Sequence, residues 1–195
     1  MQAQARGTKE QILAAALETL REDGFTAATS RAVAARGGFN AALVFYYFGS
    51  MDALLLAALD RTSETRLAAY RDALADAQTL GDVIAAAGPL YEEDRVSGHI
   101  DVLSQMVAGS VARPELAPEM TARMQPWIDL CEEVVGRTVA GTALAAIPTR
   151  ELAYAIVTFY LGANLLTHLD PAGAAGDVLV ARLAQLQPLL EGLSR

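Results

Sequence analysis

The chain has 195 residues, 53% of them hydrophobic, and a formal net charge of -8 at pH 7. This length fits one domain, or a small domain joined to a larger one, with enough apolar sequence for a core. The single cysteine, Cys131, excludes a disulfide framework. The polar N-terminus and the short apolar runs predict a cytoplasmic protein with neither a secretion signal nor a membrane partner.

Charge is distributed unevenly along the chain. Residues 1–50 carry five basic and four acidic side chains, a charge of +1, so the remaining residues carry -9. The acidic total taken alone would disfavour nucleic acid as a partner. A near-neutral first segment ahead of a strongly acidic body is nevertheless compatible with one end contacting a polyanion.

The first helix is predicted over residues 9–23, where apolar side chains recur at the spacing of one helix face. Thr8 is its expected N-cap, and Gly24 fits the position just after its C-terminus, where a positive φ is common. A short second helix is expected from Thr29 or Ser30 onward, and a pair of glycines ends it.

Two further helices follow at short intervals. A third begins after Asn40, a good N-cap residue, and reaches about Tyr47. A fourth, capped by Ser50, begins at Met51 and ends near Ala75. Short helices separated by tight, glycine-containing turns are typical of the helix-turn-helix unit.

The remainder of the sequence is also predicted to be helical, since it contains no alternation typical of strands. Proline and glycine positions divide it into five segments: 81–95, 99–111, 115–145, 150–169 and 177–193. The sequence therefore predicts an all-α protein of about nine helices. A three-helix domain over residues 1–50 precedes a larger helical domain over residues 51–195.

Residues 24–55 combine glycines, caps and aromatic residues in a fixed order: Gly24-Phe25, Thr29, Val33-Ala34, Gly38-Phe39-Asn40, Phe45-Tyr46-Tyr47-Phe48 and Leu54-Leu55. In this order and spacing the segment resembles the DNA-binding domain of the TetR family of transcriptional regulators. The match covers about residues 8–56, and helix number, length and order carry it beyond them. The resemblance implies a helix-turn-helix DNA-binding domain over 1–50 and a ligand-binding and dimerisation domain over 51–195.

The resemblance implies that the third helix enters the major groove of double-stranded DNA. Arg31 is then expected at the DNA backbone or a guanine, and tyrosine hydroxyls at phosphates. The start of the recognition helix offers apolar contact to thymine methyl groups. The alternatives are a solvated arginine and tyrosines that rim the junction with the fourth helix. Nine residues form the predicted DNA-binding surface: Ser30, Arg31, Asn40, Ala41, Ala42, Leu43, Phe45, Tyr46 and Tyr47.

Three positions depart from the family pattern. Met51 replaces the lysine that opens the fourth helix, Phe45 lacks the hydroxyl of the usual tyrosine, and Tyr47 replaces a histidine. Arg6 and Lys9 could add phosphate contacts from the N-terminal arm, or form only a mobile charged tail. The departures predict modest DNA affinity with a clear salt dependence. They also support an alternative in which DNA reading is weakened and the protein is a ligand-binding or protein-interaction module.

A small-molecule pocket and a two-fold interface are further implications of the resemblance, both in the larger domain. The candidate pocket residues combine large apolar groups with isolated polar ones: Tyr91, His99, Leu103, Met106, Trp127, Cys131, Phe159 and Asn164. The candidate dimer interface uses the apolar faces of the last two helices: Leu152, Ile156, Tyr160, Ala163, Val178, Leu183, Leu186 and Leu190. Ordinary core packing is the alternative for the first set, and coverage inside one subunit for the second.

The function expected from these features is that of a homodimeric transcriptional regulator. It would be a repressor released from a palindromic DNA operator by a small, largely apolar effector. A helical-bundle enzyme is a third hypothesis. His99 and Asp101, like His168 and Asp170, are two residues apart and do not face each other on a helix. The sequence contains no nucleophilic triad, phosphate loop or zinc spacing, so neither catalysis nor a cofactor or metal is expected.

Overall fold

The structure is a computed structural model that describes residues 2–167, with side chains described from residue 6 to residue 166. Every regular element in this part of the chain is helical, which confirms the predicted all-α class. The last predicted helix, 177–193, lies outside the described residues, and so do four predicted interface residues: Val178, Leu183, Leu186 and Leu190.

Eight α-helices occupy the described part of the chain, and two 3₁₀ turns connect some of them. The turns are Pro114–Leu116 and Ala143–Ala146. In chain order the helices are α1 Gln2–Ala27, α2 Ser30–Gly37, α3 Ala42–Phe48, α4 Met51–Ala73, α5 Leu80–Ser97, α6 His99–Ala112, α7 Ala117–Thr138 and α8 Thr149–Thr167.

The first helix differs from its prediction at its start and agrees with it near its end. The predicted cap at Thr8 is wrong, because α1 already begins at Gln2, in a segment whose alanine, glutamine and arginine favour helix. At the other end, Gly24 adopts a φ of 79° and breaks the helical backbone, as the sequence predicts. Only glycine takes up that conformation without steric cost.

Side-chain oxygens accept hydrogen bonds from first-turn amides in the next three helices. In α3 the oxygen belongs to the predicted Asn40, one residue before the N-cap position, which is Ala41. The Thr29 hydroxyl accepts a hydrogen bond from the Ala32 amide at 3.2 Å. The side chain of Asn40 accepts one from the Ala42 amide at 2.8 Å. The Ser50 hydroxyl accepts one from the Ala53 amide at 3.0 Å. These bonds satisfy amides that the helix itself leaves without partners, so they set the boundaries of α2, α3 and α4.

The predicted helix over 115–145 is too long at both ends. A 3₁₀ turn precedes α7, and the helix ends at Thr138. Gly141 has a φ of 79°, and the Thr142 hydroxyl accepts a hydrogen bond from the Leu144 amide at 3.2 Å, which caps the second 3₁₀ turn. Apolar periodicity continues across this turn, so periodicity alone could not locate the break.

The helices form two compact units that share the chain unevenly. The first contains residues 1–65 and 98–122, and the second contains residues 66–97 with the chain from 123 onward. These units do not follow the predicted boundary between residues 50 and 51, because α6 packs against α1. The predicted division into a DNA-binding and a ligand-binding domain is a statement about function and stays a prediction.

Each unit has an apolar core of its own. In the first unit α1 packs against both α2 and α6. The fully buried side chains of this unit include Ile12, Leu20, Val33, Val44, Leu54, Leu59, Ile100 and Met106. In the second unit the buried cluster consists of Tyr70, Leu74, Ala77, Leu130 and Val134.

None of the described helices is by itself long and apolar enough to cross a membrane. Only α3 and α4 taken together reach that length and apolarity, and they meet at an angle of 68°.

Candidate nucleic-acid interface and effector region

The turn between α2 and α3 is held tightly against α1. The Gln11 side chain donates a hydrogen bond to the Gly37 carbonyl at 2.7 Å. A Cβ atom at Gly37 would lie 2.3 Å from the Phe39 ring and 2.9 Å from the Ala15 side chain, so no larger residue fits there. This close approach fixes the position at which α3 begins relative to α1 and α2. We call these three helices, α1 to α3, the head.

The core residues of α2 and α3 determine which faces of the two helices remain open. Val33 and Val44 are completely buried, so the opposite faces of both helices are left to solvent. Every predicted DNA-binding residue keeps some accessible surface. Arg31, Asn40, Ala42, Phe45 and Tyr46 are exposed, whereas Ser30, Ala41, Leu43 and Tyr47 are half-buried.

Aromatic rings dominate the open face of α3. Tyr46 is 79% exposed and Phe45 is 52% exposed. The Tyr46 and Tyr47 rings meet edge to face at 5.0 Å, and the Lys9 ammonium group lies 5.4 Å from the centroid of the Phe48 ring. The first helix therefore brings a cation to the aromatic helix, which sequence spacing could not indicate.

The arginines around this face differ in availability. Arg36 donates to Glu22 at 3.3 Å and to Asp23 at 2.8 Å. Hydrogen bonds from Arg21 and then from Arg36 lower the pKa of Glu22 below its usual value. Arg31 is exposed and forms no ion pair with any of the described residues. Its guanidinium is therefore the one on α2 that an external anion can reach without breaking an existing pair.

The Phe25 side chain near the end of α1 packs against Gln105 and Gly109 of α6 and against Arg113, which follows α6; we call this site the socket on α6. The Phe25 amide donates to the Gln105 side chain at 3.3 Å. A Cβ atom at Gly109 would lie 2.5 Å from the Phe25 ring, and the Arg113 guanidinium lies 4.9 Å from the centroid of that ring. Arg113 also pairs with Asp52 at the start of α4. These residues could not be predicted from the sequence, since nothing in their local pattern links them.

The second unit contains a buried polar cluster around Asp94, whose side chain is completely buried. The Tyr160 hydroxyl donates to one carboxylate oxygen at 2.9 Å, and Arg66 pairs with the other. Arg66 also donates to Glu93 at 3.1 Å and to the Leu90 carbonyl at 3.0 Å. The cluster could not be predicted from the sequence, because Asp94 lies in an acidic run that is typical of a solvated helix face.

Two tyrosines of this cluster are held in their neutral form. Burial raises the pKa of Tyr160 above its ordinary value. Burial, and then the nearby Asp94 carboxylate, do the same for Tyr70. The Tyr70 hydroxyl is buried and makes no hydrogen bond of normal geometry with the described residues.

Aromatic contacts extend this cluster to two of the predicted pocket residues. The Tyr91 and Tyr160 rings meet edge to face at 5.5 Å, and the Tyr70 and Trp127 rings do so at 5.6 Å. The Arg66 guanidinium lies 5.8 Å from the centroid of the Tyr70 ring. Tyr91, Tyr160, Asp94, Arg66, Tyr70 and Trp127 thus form a continuous chain of contacts, which we call the Asp94 chain.

The other predicted pocket residues are divided between the two units. His99, Leu103 and Met106 are buried in the first unit, where the His99 ring contacts the Thr62 hydroxyl at 3.1 Å. In the second unit Phe159 is half-buried and Asn164 is buried, and burial raises the pKa of the Cys131 thiol to about 11. The eight residues therefore do not lie in one unit, and the pocket stays a prediction.

The four described residues of the predicted dimer interface differ in exposure. Ile156 is 44% exposed, whereas Ala163 is buried. Leu152 and Tyr160 are half-buried, and Tyr160 already has a partner in Asp94. Tyr154, Leu165 and Leu166 on the same helix are also exposed. The exposed apolar side chains of α8 leave room for the predicted interface, which stays a prediction.

The described residues contain no group of three or more histidine, cysteine, aspartate or glutamate side chains placed to hold a metal ion. His168 and Asp170, the second histidine–aspartate pair of the sequence, lie outside the described residues.

The chain is similar to known proteins both in sequence and in fold. Residues 12–58 match the family model for bacterial regulatory proteins of the tetR family. No curated protein matches the chain. Among solved structures, a TetR transcriptional regulator from Legionella pneumophila superimposes with a TM-score of 0.70 at 18% identity, over 91% of this chain and 95% of that one.

Two further structural neighbours contain bound small molecules. A proposed transcriptional regulator from Saccharomonospora viridis, in complex with choline, has a TM-score of 0.75 at 16% identity, over 93% of this chain and 95% of that one. The SmeT–triclosan complex has a TM-score of 0.68 at 19% identity, over 91% and 90%. The resemblance noted in the sequence is thereby confirmed: residues 12–58 match the model of the bacterial tetR family of regulatory proteins, and the chain has the same all-helical fold as solved TetR-family transcriptional regulators.

Proposed function

We propose that this protein is a homodimeric repressor that acts in the cytoplasm, without catalytic activity, and leaves its DNA operator when a small, largely apolar effector binds. The observation that carries the proposal is the open face of α2 and α3, where Arg31 and Tyr46 are exposed on a head that matches the tetR family model. Regulators of this family are generally DNA-binding proteins and not enzymes.

The charges of the head support binding to DNA through few phosphate contacts. Arg31 is exposed without an ion pair among the described residues, and Lys9 lies against the aromatic helix. Arg36, in contrast, is occupied by two acidic side chains. A small number of cationic contacts gives modest affinity and a log-log salt slope of about -0.9 per phosphate contact.

Two-fold symmetry follows from the kind of target proposed. Helix-turn-helix proteins read half-sites one helical turn apart, so a palindromic operator requires two heads related by a two-fold axis. The exposed apolar side chains of α8 are the proposed interface. Among the described residues, the half-buried Leu152 and the exposed Ile156 are large aliphatic side chains of this proposed interface.

The proposed effector region is the second unit. Four aromatic rings around one buried carboxylate and one arginine supply the mixture of apolar surface and few polar groups that ligand sites use. Structural neighbours bound to choline and to triclosan support a small molecule as the effector. The effector would favour a state in which the spacing of the two heads no longer matches the two half-sites of the operator. α4 contributes residues to both units and would transmit this change.

Binding to DNA is tested by fluorescence anisotropy of the full chain with duplexes from a random library and from the upstream region of its own gene. The Arg31→Ala variant should bind at least tenfold more weakly, and its salt slope should be shallower by about 2, one contact in each head. Arg36→Ala is the matched control on the same helix and should retain the wild-type slope. Sequence-indifferent binding that Arg31→Ala leaves unchanged would favour the alternative of a ligand-binding or protein-interaction module.

Binding of an effector is tested through Trp127, the only tryptophan of the chain. Because its ring contacts Tyr70, a ligand in this region should change its fluorescence. Choline and triclosan are the first probes, each titrated with and without DNA. A repressor should release the operator as the fluorescence changes, and a probe that binds without altering operator affinity is not the effector.

A further inference from the structure

The open face of α3 offers very little hydrogen-bonding chemistry. Its exposed side chains are those of Ala42, Phe45 and Tyr46, and only the last has a polar atom. Of the half-buried side chains, Ala41 and Leu43 add no polar atom, and Tyr47 adds one hydroxyl group. Asn40, just before the helix, already uses its side-chain oxygen to cap α3 through the Ala42 amide. A helix with this surface cannot match a pattern of donors and acceptors along several base pairs.

The major groove of DNA presents one apolar feature that such a surface can recognise. Each base pair displays donors and acceptors, and thymine alone adds a methyl group, at C5 of the pyrimidine. An apolar side chain placed over a G·C pair displaces water from polar base edges without replacing its hydrogen bonds, which is unfavourable. Over thymine the same side chain buries a methyl group, which is favourable.

We propose that α3 selects its operator by contact with pyrimidine C5 methyl groups, with the Ala42 methyl and the Tyr46 ring as the recognising groups. The inference rests on the proposed DNA binding and specifies what the head reads. Tyr46 suits this role because its ring is the most exposed on the helix and packs edge to face with the ring of Tyr47. Phe45, half exposed beside it, extends the apolar surface.

Methylated cytosine in DNA offers α3 the same methyl group as thymine. 5-Methylcytosine carries its methyl group at the same ring position as thymine, so this surface would also favour methylated cytosine at a suitably placed step. Arg31, at the DNA backbone or a guanine, and the tyrosine hydroxyls, at phosphates, contribute no such preference for methyl groups. The ring of Tyr46 and its hydroxyl therefore have separable roles, one in selection and one in affinity.

The test uses a duplex selected from a random library by the full chain. Each thymine in a half-site is then replaced by deoxyuridine, which removes the methyl group and leaves the base-pairing edges unchanged. We expect at least one position in each half-site where the substitution weakens binding about three- to fivefold, the effect of one buried methyl group. Thymines outside the footprint are the control and should show no change.

Protein variants assign the effect to side chains. Tyr46→Phe should keep the deoxyuridine penalty although it binds more weakly, because its ring is intact. Tyr46→Ala should lose the penalty at the position that this ring reads, and circular dichroism checks that both variants fold. Methylation of a half-site cytosine next to that position should strengthen binding by wild type and leave Tyr46→Ala unchanged.

The outcomes separate this inference from the function on which it rests. Selective binding that no thymine-to-deoxyuridine change weakens would overturn methyl recognition while leaving the DNA-binding proposal intact. A penalty that persists in full in Tyr46→Ala and in Ala42→Gly would overturn the assignment to α3. Failure to select any duplex would overturn both proposals.

Discussion

At the scale of single residues, the most consequential group of the second unit is Asp94. Its carboxylate is completely buried and pairs with Arg66, whose side chain is 19% exposed. We expect Asp94→Asn to lower the free energy of unfolding by about 1–3 kcal/mol, because the Arg66 guanidinium loses its buried partner and keeps only the exposed Glu93 carboxylate and the Leu90 carbonyl. Urea denaturation followed by circular dichroism measures the change.

The matched control for Asp94 lies one residue earlier. Glu93 also pairs with Arg66, but its side chain is 63% exposed, so Glu93→Gln should cost less than about 1 kcal/mol. Equal losses in the two variants would show that the burial of Asp94 does not determine its contribution. The variant Arg66→Met, Asp94→Leu, Tyr160→Phe should recover much of the loss, since it removes the charge of the pair together with the hydroxyl that donates to Asp94.

At the scale of elements, the surroundings of two helix glycines predict opposite effects of substitution by alanine. A Cβ atom at Gly109 would lie 2.5 Å from the Phe25 ring, whereas one at the exposed Gly136 would meet only the Thr149 methyl group, at 4.0 Å. Gly109→Ala should therefore destabilise the protein by about 1–3 kcal/mol through overpacking. Gly136→Ala, inside α7, should stabilise it by about 0.5–1 kcal/mol through helix propensity. Thermal unfolding of both variants gives the signs.

A double-mutant cycle tests whether the cost at Gly109 comes from Phe25. In a Phe25→Leu background, Gly109→Ala should lose most of its cost, because the smaller side chain leaves room for the added methyl group. An undiminished cost would mean that another contact of α6 resists the substitution.

The helical segments and the capping residues of α2, α3 and α4 could be predicted from the sequence, because they depend on near neighbours. Thr29, Asn40 and Ser50 cap helices through amides two or three residues away, so a local pattern is sufficient. The overlong prediction for α7 fails for the same reason: the turn at Gly141 interrupts a stretch whose apolar period continues.

The contacts that define the candidate sites join residues far apart in the sequence. Asp94 and Tyr160 are separated by 66 residues, and Phe25 and Gln105 by 80. Nor could sequence alone distinguish Arg36, which two acidic residues of α1 neutralise, from Arg31 on the same helix. The residues of the proposed DNA-reading face were predictable from the family resemblance, whereas the availability of its charged groups could be seen only in the fold.

At the scale of the whole molecule, the proposed repressor needs a two-fold assembly, and Ile156 is where this requirement can be tested. Its side chain is 44% exposed on α8, so Ile156→Asp should destabilise the subunit by only about 1 kcal/mol. In a two-fold interface, however, the variant would bury two like charges near each other. We therefore expect sedimentation velocity to show dimers for wild type and monomers for the variant at the same concentration.

Operator binding should change together with the oligomeric state. A monomer carries one head and reads one half-site, so Ile156→Asp should bind a palindromic duplex little better than an isolated half-site, whereas wild type should distinguish them strongly. Thr158→Asp adds the same charge to an exposed position two residues along α8, on another face of the helix, and should stay dimeric with full operator affinity. A variant at Ile156 that remains dimeric would place the interface elsewhere, and a monomeric wild type that still prefers the palindrome would mean that DNA itself brings the two heads together.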